Sequence, residues 1–152
     1  MKNVQQTIQF LQSLATDLAA NAISHKIVSK NFAAQGFTKL AEKYAAHYAE
    51  EMAFVDQFYD RILDLDGEIK HEAAPSFQTP TDVEAYFQYD LQQSVDGLPV
   101  LEEAINAGFF DITTLDLMKE YYKDEEEDLN WTKAQLDLIA LIGKQNYLAT
   151  MI

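Results

Sequence analysis

Carboxylates stand where this chain should bury hydrocarbon. In "HYAEEMAFVDQFYDRILDLDG", residues 47–67, Glu51 shares a helical stripe with Tyr44, Phe54, Phe58 and Leu65. A second acidic step, Glu125 and Asp128, interrupts the stripe of Tyr122, Thr132 and Leu136 around "KDEEEDLNW". His25 follows Leu18 and Ala22 on one segment, and Ser94 follows Phe87 and Leu91 on another. An unpartnered buried carboxylate costs on the order of several kcal/mol, so such groups take up a proton or hold a cation. Two readings stand side by side. Either His25, Glu51, Glu125 and Asp128 hold one divalent cation, or a neutral His25 hydrogen-bonds a carboxylic acid of raised pKa in a metal-free polar knot.

Four long helices must carry these residues. Gly36 divides the first periodic segment from the second, and residues 66–80, with Gly67, Pro75 and Pro80, form the one long loop. A third helix starts at Thr81, with Glu84 completing a capping-box pattern, and runs to about residue 107 before Gly108. The fourth runs from about Thr113 to about Ile142, and Gly143 sets off a last short piece, "KQNYLATMI". A tight turn, a long crossover and another tight turn imply an all-α, up-down-down-up four-helix bundle with a short fifth C-terminal helix. Each helix is apolar at its ends and polar near its middle, so the polar residues should share one or two layers. Pro99 removes an amide from the third helix and should kink it near Val95.

Composition narrows the function classes. The 152 residues are 48% hydrophobic, which suits one domain over 1–152. Eleven basic against 25 acidic residues give a net charge of −14, which repels nucleic acid and anionic lipid and attracts cations. There is no cysteine for disulfides, thiolate metal sites or nucleophilic catalysis. No apolar run is long enough for a bilayer and no signal peptide is evident, so the expected location is cytoplasmic. No Ser-His-Asp arrangement, glycine-rich phosphate loop or basic patch supports a hydrolase or a nucleotide-binding protein.

The segments "GFTKLAEKYAAHYAEEMAFVDQFYDRILDLDG", "DVEAYFQYDLQQSVDG" and "KDEEEDLNWTKAQLDLIALIGKQNYLATMI" closely resemble bacterioferritins over almost the whole chain. The resemblance implies a ferritin-like bundle that assembles, with a fifth helix lining the four-fold channel, into a hollow twenty-four-subunit cage. Such cages oxidise ferrous iron at a di-iron centre inside each bundle, store ferric mineral, and bind haem between subunits through a methionine. Carried over residue by residue, the six di-iron ligand positions fall on Leu18, Glu51, Phe54, Ser94, Glu125 and Asp128. Glu51 and Glu125, the bridging pair, are kept; Asp128 replaces a histidine, and the Glu-x-x-His spacing survives without its histidines. Asp17 lies beside Leu18 but about 100° away around the helix.

The expected function is thus a cage subunit for intracellular iron storage or handling, with ferroxidase activity weak or lost. Two alternatives remain: a metalloenzyme with a site rearranged around His25, Glu51, Glu125 and Asp128, and a haem-binding or structural subunit of a mixed cage with a paralogue. Met52 falls on the haem-methionine position, among Ala19, Ala22, Lys26, Ala45 and Ala49, where the family usually has larger side chains. Asp124, Glu126 and Glu127 read as a solvated or cavity-facing stripe, and His47 as a partly exposed histidine capped by water.

Overall fold

The computed structural model describes residues 2–152 and contains five helices: α1 (Val4–Ala34), α2 (Thr38–Asp64), α3 (Val83–Asn106), α4 (Ile112–Ile142) and α5 (Lys144–Ala149). Their starts follow from local side-chain chemistry. Asn3, Asp82 and Asp111 cap α1, α3 and α4, their side chains accepting from the amides of Gln6, Ala85 and Thr114. At α3 the cap is therefore Asp82 and not Thr81, because the carboxylate reaches an otherwise unpaired amide one residue further along. α3 runs through Pro99 as one element.

The turns are set by backbone geometry. After α1, Gly36 adopts φ 89°, and the Phe37 amide bonds back to the Phe32 carbonyl at 2.9 Å. α2 ends in the same way, with Asp66 at φ 60° and the Gly67 amide donating to the Ile62 carbonyl at 2.8 Å. Any side chain at Gly67 would meet Ile62 Cγ2 at 2.9 Å, so glycine is needed there. Arg61 then ties the end of α2 to the start of α4, donating to Asp111 at 2.6 Å and to Thr114 at 3.0 Å. The crossover has no regular structure; the buried Gln12 side chain of α1 holds it by accepting from the Lys70 amide at 2.7 Å.

Two apolar clusters fill the bundle. One joins the start of α1 (Leu11, Ala15), the end of α2 (Phe58, Ile62), the end of α3 (Leu101) and the start of α4 (Met118). The other joins Val28 and Phe32, Leu40 and Tyr44, Val83 and Phe87, and Ile139, with Tyr147 of α5. Because α2 and α3 both begin at the second cluster, they run parallel, giving the up-down-down-up order. Tyr147 is fully buried and donates to Gln135 at 2.8 Å, which holds the short fifth helix against the bundle end. Between the two clusters lies a layer that is not apolar.

Candidate metal centre

That layer is built from the middle turn of each long helix. α1 supplies Asn21 and His25, α2 supplies His47 and Glu51, α3 supplies Asp90, and α4 supplies Glu125 and Asp128. Each faces inward because the apolar residues three and four positions away anchor the same stripe in the two clusters. His25, His47, Glu51 and Asp90 are 5%, 2%, 1% and 7% exposed, so their partners must come from protein.

His25 is the hub. Its Nδ1 pairs with Glu51 Oε1, and its Nε2 lies 2.9 Å from Asp90 Oδ1. The second Glu51 oxygen accepts from Asn21 at 3.0 Å. Burial alone would strip the ring of its proton, but hydrogen bonds to Asp90 and Glu51 and the charge on both outweigh it and raise the His25 pKa to about 10. That pKa makes the ring an imidazolium held between two carboxylates, where one of the two sequence readings has a neutral ring beside a protonated acid. Asp90 is a residue that the sequence pattern does not single out. It sits three positions after Phe87 and four before Ser94, so stepping by four and then three passes over it while stepping by three and then four lands on it.

Around this ion triad the acids of α4 lack such a partner. Burial, then repulsion from Glu51 and Asp128, raises Glu125 to about 8. Burial, then Asp124 and Glu51, raises Asp128 to about 7, and burial with Glu50 and Glu127 raises Asp124 to about 6. His47 moves the other way, to about 4, because burial and the neighbouring His25 and Lys43 charges disfavour its cation. Although His47 Nε2 lies 3.5 Å from Asp128 Oδ1, a neutral ring makes this a contact and not an ion pair. Both His47 nitrogens are buried without a hydrogen-bond partner.

The six carried-over ligand positions are occupied as follows. Leu18 is buried in the first cluster, Phe54 packs edge-on against Tyr121 at 5.2 Å, and Ser94 is half-buried on the wall of a cavity of about 640 Å³. Glu51 has both oxygens engaged, and Glu125 and Asp128 line the same cavity, which reaches His25 and Asp90. Asp17 is exposed, though it too borders the cavity. Among the described residues the carboxylates that converge to within 4.8 Å are Glu50, Asp124 and Asp128; His25, Glu51 and Glu125 are not in that set.

A ferritin-like domain matches residues 8–142. The bacterial ferritin of Neisseria meningitidis serogroup B is 33% identical over 155 aligned residues, covering 97% of both chains. The chain belongs to the ferritin-like family, on its bacterioferritin branch. A bacterial ferritin of Pseudomonas aeruginosa is 30% identical over the full length of both chains, and a bacterioferritin of Streptomyces coelicolor is 28% identical over all of this chain and 92% of its own. Within this family the centre carries a reduced acidic set.

A di-iron pair does not fit these residues. Three of the six positions, Leu18, Phe54 and Ser94, offer no carboxylate or imidazole, and Glu51 spends its oxygens on His25 and Asn21. His25, the histidine nearest to replacing a lost ligand, has both nitrogens taken. Met52 is half-buried against the first cluster. Around it Ala19 is half-buried, Ala22 is fully buried, Ala45 and Ala49 are small and exposed, and the Lys26 ammonium lies 4.9 Å over the Tyr48 ring.

Proposed function

We propose that this chain is a bacterioferritin-type subunit that handles and stores iron within a multi-subunit shell, without oxidising iron at its own bundle centre. The observation that carries this reading is the His25 ring seated between Glu51 and Asp90, with both its nitrogens and both Glu51 oxygens engaged by protein partners. A proton on a histidine supplies the positive charge that balances buried carboxylates, which is the electrostatic task a metal performs in such bundles. Family membership, the short α5 and the acidic balance of 25 against 11 support an iron-concentrating role. Iron is cargo here: ferrous ions are drawn to the acidic surface, and their oxidation falls to dissolved oxidant or to a paralogous subunit with the full ligand set. Among the described residues no helix is long and apolar enough to cross a membrane.

The partners on both His25 nitrogens weigh against the rearranged-enzyme alternative, and the haem alternative has only Met52 behind it. The test is aerobic ferrous oxidation by the purified assembly, whose size is read by chromatography with light scattering. The expected result is a twenty-four-subunit assembly whose initial rate equals that of buffer and is unchanged by Glu51→Gln. A faster rate that Glu51→Gln abolishes overturns the reading; a subunit carrying all six ligands in the purified shell identifies the mixed cage.

A further inference from the structure

Leu18 and Ser94, which offer a di-iron pair nothing, both border the cavity of about 640 Å³. α1 packs along α2 and α3 along α4, and the cavity lies between α1 and α3, with Pro75 and Phe77 of the crossover among its walls. Small side chains keep it open: Ala20, Ser24, Ser94 and Gly97 line it, and a Cβ added at Gly97 would meet nothing within 4 Å. A space of this size holds an organic molecule, far more than one ion needs.

Its walls are sorted along the helices. Because α1 and α3 run antiparallel, Phe10 and Leu14 of α1 share one end of the cavity with Leu98 and Leu101 of α3, whereas His25 meets Asp90 at the other, near Glu125 and Asp128 of α4. The charge is one-sided. Asp17, Asp90, Asp96, Glu125 and Asp128 border the cavity, no lysine or arginine does so among the described residues, and the His25 cation is already held by Glu51 and Asp90.

Acids alone would not name a ligand. His47 supplies the second mark: it borders the cavity, is 2% exposed, and has both ring nitrogens without a partner. A buried polar group left unpaired destabilises the fold, and a ligand that bonds to it removes that penalty. Carboxylates and one imidazole nitrogen accept hydrogen bonds, and the group that donates several and accepts none is an ammonium.

We propose that the α1–α3 cavity binds an amphipathic organic amine, its ammonium among His47, Glu125 and Asp128 and its apolar body along Phe10, Leu14, Leu98 and Leu101. Apolar area withdrawn from water supplies affinity at one end, and the acids select a cation at the other. A fatty acid of the same length is rejected by like charge, and a bare metal ion leaves the apolar wall unused. The inference goes beyond the storage reading and stands on the cavity alone.

Calorimetric titration of the assembled protein with octylammonium, in the presence of chelator, tests this. One octylammonium per chain is expected, and octanoate and methylammonium should each bind at least tenfold more weakly, the first for its charge and the second for its lack of an apolar body. Ser94→Phe, which fills the cavity, should weaken octylammonium at least tenfold; Gly97→Leu serves the same purpose if Ser94→Phe does not fold by circular dichroism. Glu125→Gln should weaken octylammonium at least tenfold while changing the affinity for neutral 1-octanol less than threefold. Glu126→Gln, an exposed acid outside the cavity, should change neither. Absence of saturable octylammonium binding, octanoate or methylammonium binding as tightly, no effect of the cavity-filling variants, or an equal loss in Glu126→Gln each overturns the site. Because no iron is present in the titration, its failure leaves the result on oxidation intact.

Discussion

His25→Ala is expected to cost about 3–5 kcal/mol of stability, lowering the calorimetric melting temperature by on the order of 10 °C. The size follows from what remains: Glu51 and Asp90, 1% and 7% exposed, would keep their charges in the interior with the imidazolium gone. Removing one member of a buried ion group is much costlier than replacing the whole group by hydrocarbon, because only the first leaves an uncompensated charge. The matched control is accordingly the triple variant His25→Phe, Glu51→Leu, Asp90→Leu. It should recover most of the loss. A single substitution that costs under about 1 kcal/mol would show that the ring carries no charge.

The second large effect is on pH dependence. The His25 pKa is raised to about 10 from 6.5, so its stabilising contribution is fully present below pH 6.5 and is lost as pH rises through 10. A tenfold gain in proton affinity on folding is worth about 1.4 kcal/mol, which makes the loss several kcal/mol. The acids act in the same direction. Glu125, Asp128 and Asp124 are raised to about 8, 7 and 6, so the folded chain keeps protons that the unfolded chain has already released, and stability falls as pH climbs from about 4 through those values. His47 alone acts oppositely: its pKa is lowered to about 4, so its contribution is lost as pH falls from 6.5 through 4.

Below pH 6.5 these contributions offset in part; above it none opposes the decline. The metal-free protein should therefore melt at steadily lower temperature from pH 6.5 to 10, by calorimetry in the presence of chelator. The triple variant, lacking the His25 contribution, should flatten above pH 8. A melting temperature constant or rising across that window would contradict the imidazolium assignment.

Much of this is legible in the chain itself. The stripes Leu11–Ala15–Leu18 and Phe54–Phe58–Ile62 repeat at helical spacing, and the fold has little choice but to bury them. Gly36, the proline-containing crossover and Gly108 then set the order of the helices. The polar middle is legible too, since His25, Glu51, Glu125 and Asp128 interrupt stripes at matching distances from the helix ends, and they do separate the two apolar clusters. Short-range differences are of one residue, as at Asp82, where two neighbouring side chains are both good caps and the carboxylate wins.

What periodicity does not supply is which side chains meet across helices. A stripe assigns a residue to a face within half a residue step, about 50° to either side, and that tolerance spans both Asp90 and Ser94, both His47 and Tyr48. Choosing between them depends on helix rotation, which is fixed only when Phe87 and Tyr44 pack at the bundle end. Glu50 carries no sequence signal, because on its own helix it is an ordinary exposed acid; it becomes notable only opposite Asp124 and Asp128. The protonation of His25 is likewise a tertiary property, set by two carboxylates 26 and 65 residues away in the chain. Sequence alone thus determined a helical bundle with charge buried at its waist. Three-dimensional packing decided that the charge at its core is balanced by a histidine, and that the leftover acids face a second, unpaired one.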